Sequence, residues 1–146
     1  MTDIRLAHVL DAPELQRLNN LFNDEGCNTL EGIRRSIKNN RQEIVCVAAR
    51  DNKLVGFCCG QVFSSMCHAT ANGEVTEFFV QDEYRRQGIG RRLLAFLESE
   101  LQARGVDNFR LLTGSGNFQA RAFYASCGYV ETQEMLLEKQ GSSIPG

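Results

Sequence analysis

Between Glu74 and Leu101 the chain passes from a strand pattern, through a polar turn, into a helix pattern, and this succession constrains the fold more than any other stretch. Glu74 to Val80 reads as a strand. Gln81 to Gly90 is polar and ends in Gly-Ile-Gly. Ile89, Leu93, Leu94, Leu97 and Leu101 then recur at helical spacing, and Arg104-Gly105 closes the helix. Asn108 to Thr113 is a further apolar strand. Strands joined through a helix demand a partly parallel sheet with helices on its faces.

The remaining elements extend this frame. Ile4 to Val9 reads as a short first strand. Asp11-Ala12-Pro13-Glu14 has the form of a capping box, with Leu15, Leu18 and Phe22 behind it at helical spacing. Asn28-Thr29-Leu30-Glu31 repeats the device before Leu30, Ile33 and Ile37. Glu43 to Arg50 and Leu54 to Ser64 form a hairpin about Asp51-Asn52-Lys53, and Ser65 to Gly73 is a polar loop. Gly114-Ser115-Gly116 links to a helix from Asn117 to Cys127, which Gly128 stops. Tyr129 to Glu138 reads as a last strand and Gln140 to Gly146 as a frayed tail. The order is βααβββαβαβ, an α/β (α+β) arrangement. At 146 residues, with no internal repeat or linker, residues 1–146 suit one domain.

Composition narrows the partners. A formal net charge of −2 gives no electrostatic case for nucleic-acid binding. The six cysteines do not suggest disulfides, because a chain this large and 42% apolar needs no staples. No CxxC pair exists and His8 and His68 stand at no ligand spacing to the cysteines, so no metal is expected. The start, Met1 to Arg5, lacks a hydrophobic signal region, and no window approaches a membrane span. The expectation is a reduced, cytoplasmic setting without membrane contact.

The chemistry concentrates in Arg85-Arg86-Gln87-Gly88-Ile89-Gly90-Arg91-Arg92. A helix start offers free N–H groups and the positive end of the helix dipole to an anion. Gly88 and Gly90 let the backbone approach a phosphate, and the four arginines surround that point with donors suited to it. The plainer alternative is a glycine-rich turn with surface arginines. Neither the nucleotide pattern GxxxxGKS/T nor the dinucleotide pattern GxGxxG is present, since Leu93 stands at the third glycine position.

Arg85-x-x-Gly88-x-Gly90 resembles the Gln/Arg-x-x-Gly-x-Gly/Ala acetyl-CoA signature of GNAT N-acetyltransferases. Asn117, Ala120, Phe123-Tyr124 and Gly128-Tyr129 resemble a second segment of that family, near its C-terminus. The resemblance implies a GNAT-like, mostly antiparallel twisted sheet, acetyl-CoA as cosubstrate and an amine acceptor. By this likeness Phe79 and Val80 offer backbone hydrogen bonds to the pantetheine arm. The N–H groups of Arg86, Gln87, Gly88, Ile89, Gly90 and Arg91 hold the pyrophosphate, and Asn117 meets the arm from the other side. The family also splays apart the two strands that flank the cofactor, the first kinked by a bulge. Homodimers are common in such folds, although no residue here points to one.

Acetyl transfer to an amine needs a base, since a free amine has a pKa near that of lysine, about 10.4. Glu74, eleven residues before Arg85, matches the family's carboxylate spacing, and Glu77 is the alternative. On a regular strand the two would face opposite sides, whereas a bulge would change the phase, so both stay open. At least one of them is then a solvated surface charge. Tyr124 resembles the family's general acid, with a core aromatic as the competing role. A catalytically silent CoA-binding regulatory domain is the alternative function; the presence of Tyr124 and two glutamates favours an enzyme.

Overall fold

A computed structural model of the chain describes residues 1–142. The chain divides into two compact units, Met1–Leu112 and Thr113 onward. In the first, β1 (Asp3–Leu6), β2 (Glu43–Arg50), β3 (Lys53–Phe63), β4 (Ala71–Val80) and β5 (Val106–Leu111) form one sheet in chain order. The first four strands pair antiparallel and β5 joins β4 in parallel. The parallel pair needs a crossover, which α3 (Ile89–Ala103) supplies. Helices α1 (Ala12–Phe22) and α2 (Leu30–Asn39) connect β1 to β2. At the β2–β3 hairpin Asp51 and Asn52 both take positive φ, 54° and 62°, the twist a two-residue hairpin favours.

Each sheet face carries its own core. On one side Leu93, Leu97 and Leu101 of α3 are fully buried. That helix lies so close that a Cβ at Gly73 would sit 3.2 Å from Leu101 Cδ1, and one at Gly60 would sit 3.0 Å from Leu97 Cδ1. On the other side Ala12, Leu15 and Leu18 of α1 and Ile33 of α2 pack on Val47, Leu54, Phe57, Cys59 and Phe79. Cys46, Cys58 and Cys59 are free thiols buried in the sheet.

α1 starts where the sequence puts it and α2 one residue later, its cap being Thr29 and not Asn28. Asp11 occupies the N-cap of α1 but makes no side-chain cap bond. Its carboxylate instead takes two bonds from the Arg5 guanidinium, at 2.7 and 2.9 Å, and one from the His8 N–H at 2.7 Å. Thr29 caps α2 by accepting from the Gly32 N–H at 2.9 Å.

In the second unit α4 spans Phe118–Ser126, and Gly128 follows in the left-handed region at φ 94°. The strand expected at Tyr129 to Glu138 does not form; residues 129–142 carry neither helix nor strand. Its apolar residues Val130, Met135, Leu136 and Leu137 are exposed. Apolar β-like composition alone does not make a strand, which needs a partner for its ladder, and among the described residues of this unit there is none. Of the expected tail, residues 143–146 lie outside the described part.

Candidate active site

Strand β4 decides the phase that the sequence left open. Its register with β3 runs Phe79 opposite Phe57 and Glu77 opposite Cys59, then jumps to Val75 opposite Gly60 and Glu74 opposite Gln61. Thr76 is the inserted residue of a bulge, and its hydroxyl donates to the Cys59 carbonyl at 3.3 Å. Cys59 and Gln61 share a face of β3, so Glu74 and Glu77 share a face of β4, the one that α1 and α2 cover. Regular alternation would have separated them.

The two carboxylates meet different surroundings. Glu74 forms an ion pair with Arg110 of β5, 2.8 Å from its Nε. Glu77 is exposed, yet the burial of its surroundings, and then the charge of Glu43, hold its carboxyl above the ordinary value. Glu43 begins β2 opposite Gln61, and Ser36 of α2 donates to it at 3.3 Å. Burial pushes its own carboxyl up, an effect the Ser36 hydroxyl partly offsets. Sequence reading passed over Glu43 as the first residue of a strand. The available signal was a carboxylate two positions before Val45, on a strand whose alternate residues must face a helix layer.

Beyond the bulge the sheet opens. The β4–β5 register ends at Val75 opposite Leu111, whereas β4 continues to Val80. Thr76 to Val80 therefore present an edge that β5 does not pair. An extended ligand can join such an edge by strand-like hydrogen bonds. Beside this end of β4 lies a cleft of about 340 Å³, lined by Leu21 and Phe22 of α1, Phe79, and the Gln81 to Arg85 turn.

The turn then delivers the chain to α3. Arg86 and Gly88 take positive φ, 63° and 81°, and Gly88 is the N-cap of α3. No atom lies within 4 Å of a Cβ built at Gly88, so backbone conformation, not crowding, favours glycine there. Ile89 is buried and anchors the first turn, whereas Arg86 and Gln87 are exposed. The arginines divide their work. Arg85 folds back, its Nε donating to the Val80 carbonyl at 2.7 Å and its guanidinium pairing with Asp82 at 2.9 Å. Arg92 bonds the Thr2 carbonyl at 3.2 Å. Arg50, from the β2–β3 hairpin, donates to Gln87 at 2.8 Å and lies 5.7 Å above the Tyr84 ring.

The second unit holds the other two residues of interest. Asn117 caps α4, its side-chain oxygen accepting from the Ala120 N–H at 3.2 Å. The Tyr124 ring stands edge-on to Phe123 at 5.4 Å and to Tyr129 at 5.9 Å.

A strand kinked by a bulge, an edge released beyond it and a glycine turn at a helix start are features of an acyl-CoA-binding domain. The profile of the Acetyltransferase (GNAT) family matches residues 12–129, and the chain belongs to that family. An uncharacterized N-acetyltransferase of Chlorobaculum tepidum is 30% identical over 125 residues, 84% of this chain and 75% of that one. Another, of Archaeoglobus fulgidus, is 36% identical over 83 residues, which is 56% of each chain. The fold is shared with an aminoglycoside acetyltransferase, meta-AAC0020, from an uncultured soil metagenomic sample. That likeness has a TM-score of 0.85 at 20% identity and covers 97% of both chains.

Proposed function

We propose that this chain, acting as one domain over residues 1–146, transfers the acetyl group of acetyl-CoA to a primary amine by direct attack. The observation that carries this reading is the edge at Thr76 to Val80, which β5 leaves unpaired and which leads straight into the turn before α3. The pantetheine arm adds to that edge through Phe79 and Val80. The pyrophosphate sits on the backbone from Arg86 to Arg91, where the start of a helix favours negative charge. Asn117 meets the arm, on the strength of the family segment it belongs to. Family membership and three buried thiols suit a reduced, cytoplasmic setting.

The amine nitrogen attacks the thioester carbon, the new C–N bond forms, the C–S bond breaks and the thiolate departs. Glu77 takes the ammonium proton, directly or through water. It is preferred to Glu74 because the Glu74 carboxylate is occupied by Arg110, whereas burial and a like charge favour a proton on Glu77. Tyr124 protonates the thiolate, by its place in the family segment.

An amine panel assayed by release of free CoA thiol tests the activity, and acetyl-CoA should raise the melting temperature by ligand linkage. Gly90→Glu places bulk and negative charge at the pyrophosphate and should abolish that rise. Equal stabilisation of wild type and folded variant would remove the loop from the site. Stabilisation without turnover of any amine would favour the silent CoA-binding domain. Glu77→Gln should lower the rate about 10²-fold or more near neutral pH, with a smaller loss at high pH where free amine is abundant. If Glu74→Gln behaves so and Glu77→Gln does not, the two exchange roles. Tyr124→Phe should lower kcat with nearly unchanged acetyl-CoA affinity, and full kcat with chemistry rate-limiting removes the acid role.

A further inference from the structure

We propose that Glu43 is a positioning residue of the transfer site, acting through Glu77 by its negative charge from the same face of the sheet. This rests on the reading of Glu77 as base. The register fixes the placement. Glu43 lies opposite Gln61, Val45 opposite Cys59, and Cys59 opposite Glu77, so both glutamates rise from the α1/α2 face with β3 between them. The residue between them at the level of Glu77 is Cys59, a buried, uncharged side chain of the same core, so the medium across β3 is apolar and screens their charges weakly.

Among the described residues no ion pair to a cation is formed by either glutamate. From β3, Cys59 is kept protonated by burial first, with Glu43 and Glu77 adding to that effect, and Gln61 is uncharged. Glu74 on β4 is matched by Arg110 of β5. On α2, Ser36 gives Glu43 a hydroxyl, Arg34 pairs with Glu31, and Arg35 and Lys38 are exposed. On α1 the ions are Glu14 and Arg17, which bond each other and Leu54 beside the hairpin. A half-buried carboxylate without a cation is costly, and a like charge makes its neighbour hold a proton more tightly. A base whose proton affinity is brought toward the working pH transfers protons more effectively.

Two measurements on the whole chain test this. The Glu77 carboxyl is titrated by carbon NMR, without substrates, in wild type, Glu43→Gln and Glu43→Asp. The pH profile of kcat/KM is recorded for the same proteins with acetyl-CoA and the best primary amine of the panel. In Glu43→Gln the Glu77 titration and the acid limb of the profile should both move to lower pH. The plateau should fall by less than the roughly 10²-fold expected of Glu77→Gln. Glu43→Asp keeps the charge and should restore the wild-type profile. An unmoved Glu77 titration in folded Glu43→Gln overturns the proposal whatever the base is. A moved titration with an unmoved rate profile also overturns it, and Glu77→Gln then tells whether the base assignment survives. A raised KM for the amine with an unmoved profile overturns it in favour of direct acceptor binding.

Discussion

At the scale of single residues, opposite carboxylate environments predict opposite pH behaviour. The Arg5 guanidinium holds the Asp11 carboxyl below its ordinary value, with the His8 N–H assisting. A carboxyl lowered in the folded state contributes stability that is present above its unfolded value, about 3.9, and is lost as pH falls through the lower folded value. Asp11→Asn should therefore cost about 1–2 kcal/mol at neutral pH, since Arg5 is partly exposed, and the deficit should vanish in acid. Glu43 is raised, so its contribution is full below about 4.3 and is lost as pH rises through its folded value. Glu43→Gln should accordingly unfold at a higher temperature than wild type near neutrality, with the gap closing as pH falls. Denaturation followed at several pH values reads both. Sequence pattern placed Asp11 at a helix start, but the same side chain fits a capping bond or an arginine six residues back. Only the meeting of β1 with the start of α1 chooses between them.

At the scale of elements, periodicity was a reliable guide wherever one element faced one layer. The apolar spacing of α3 predicted its buried face, and the box at Asn28 to Glu31 marked the start of α2 to within one residue, the cap being Thr29. It failed where an element departs from its own period or depends on another. Nothing in Val75-Thr76-Glu77 marks Thr76 as inserted; the register with β3 imposes it. The strand expected at Tyr129 to Glu138 depends on a ladder partner, which no local pattern reveals. The approach of α3 to the sheet was equally hidden, because a strand glycine is compatible with a bulge, a bend or a close neighbour. Gly73→Ala tests that approach. Its new methyl would press on Val106 and Leu101, and the variant should lose about 1–3 kcal/mol in denaturant unfolding. Gly88→Ala meets no atom but must adopt positive φ, so it too should destabilise, through the backbone alone.

At the scale of the whole molecule, thiol reactivity should report the layered sheet. Burial pushes the Cys46 thiol up to about 12 and those of Cys58 and Cys59 well above their ordinary value. Cys27 and Cys67 are exposed. A thiol reagent should label these two promptly in the native protein and reach the three sheet cysteines only on unfolding, with labelled positions located by mass spectrometry. Prompt native labelling at Cys58 would contradict its place under α3. No helix among the described residues is long and apolar enough to cross a membrane. Element order as far as α4 and the signature turn were legible because both are local patterns. The distribution of charge among Glu43, Glu74, Glu77 and Arg110 was not, because it arises from strands far apart in sequence.

The edge at Thr76 to Val80 implies a division of labour open to natural variation. Main-chain atoms are common to all residues, so an arm gripped by backbone is indifferent to which side chains stand along that stretch. With the donor held at that edge as proposed, a substitution at an exposed position there would leave the grip on it almost untouched. Replacements elsewhere on the α1/α2 face could then change the acceptor while Phe79 and Val80 stay fixed in the core. Donor chemistry would then be inherited as a constant of the architecture, and acceptor preference would drift as freely as any exposed side chain.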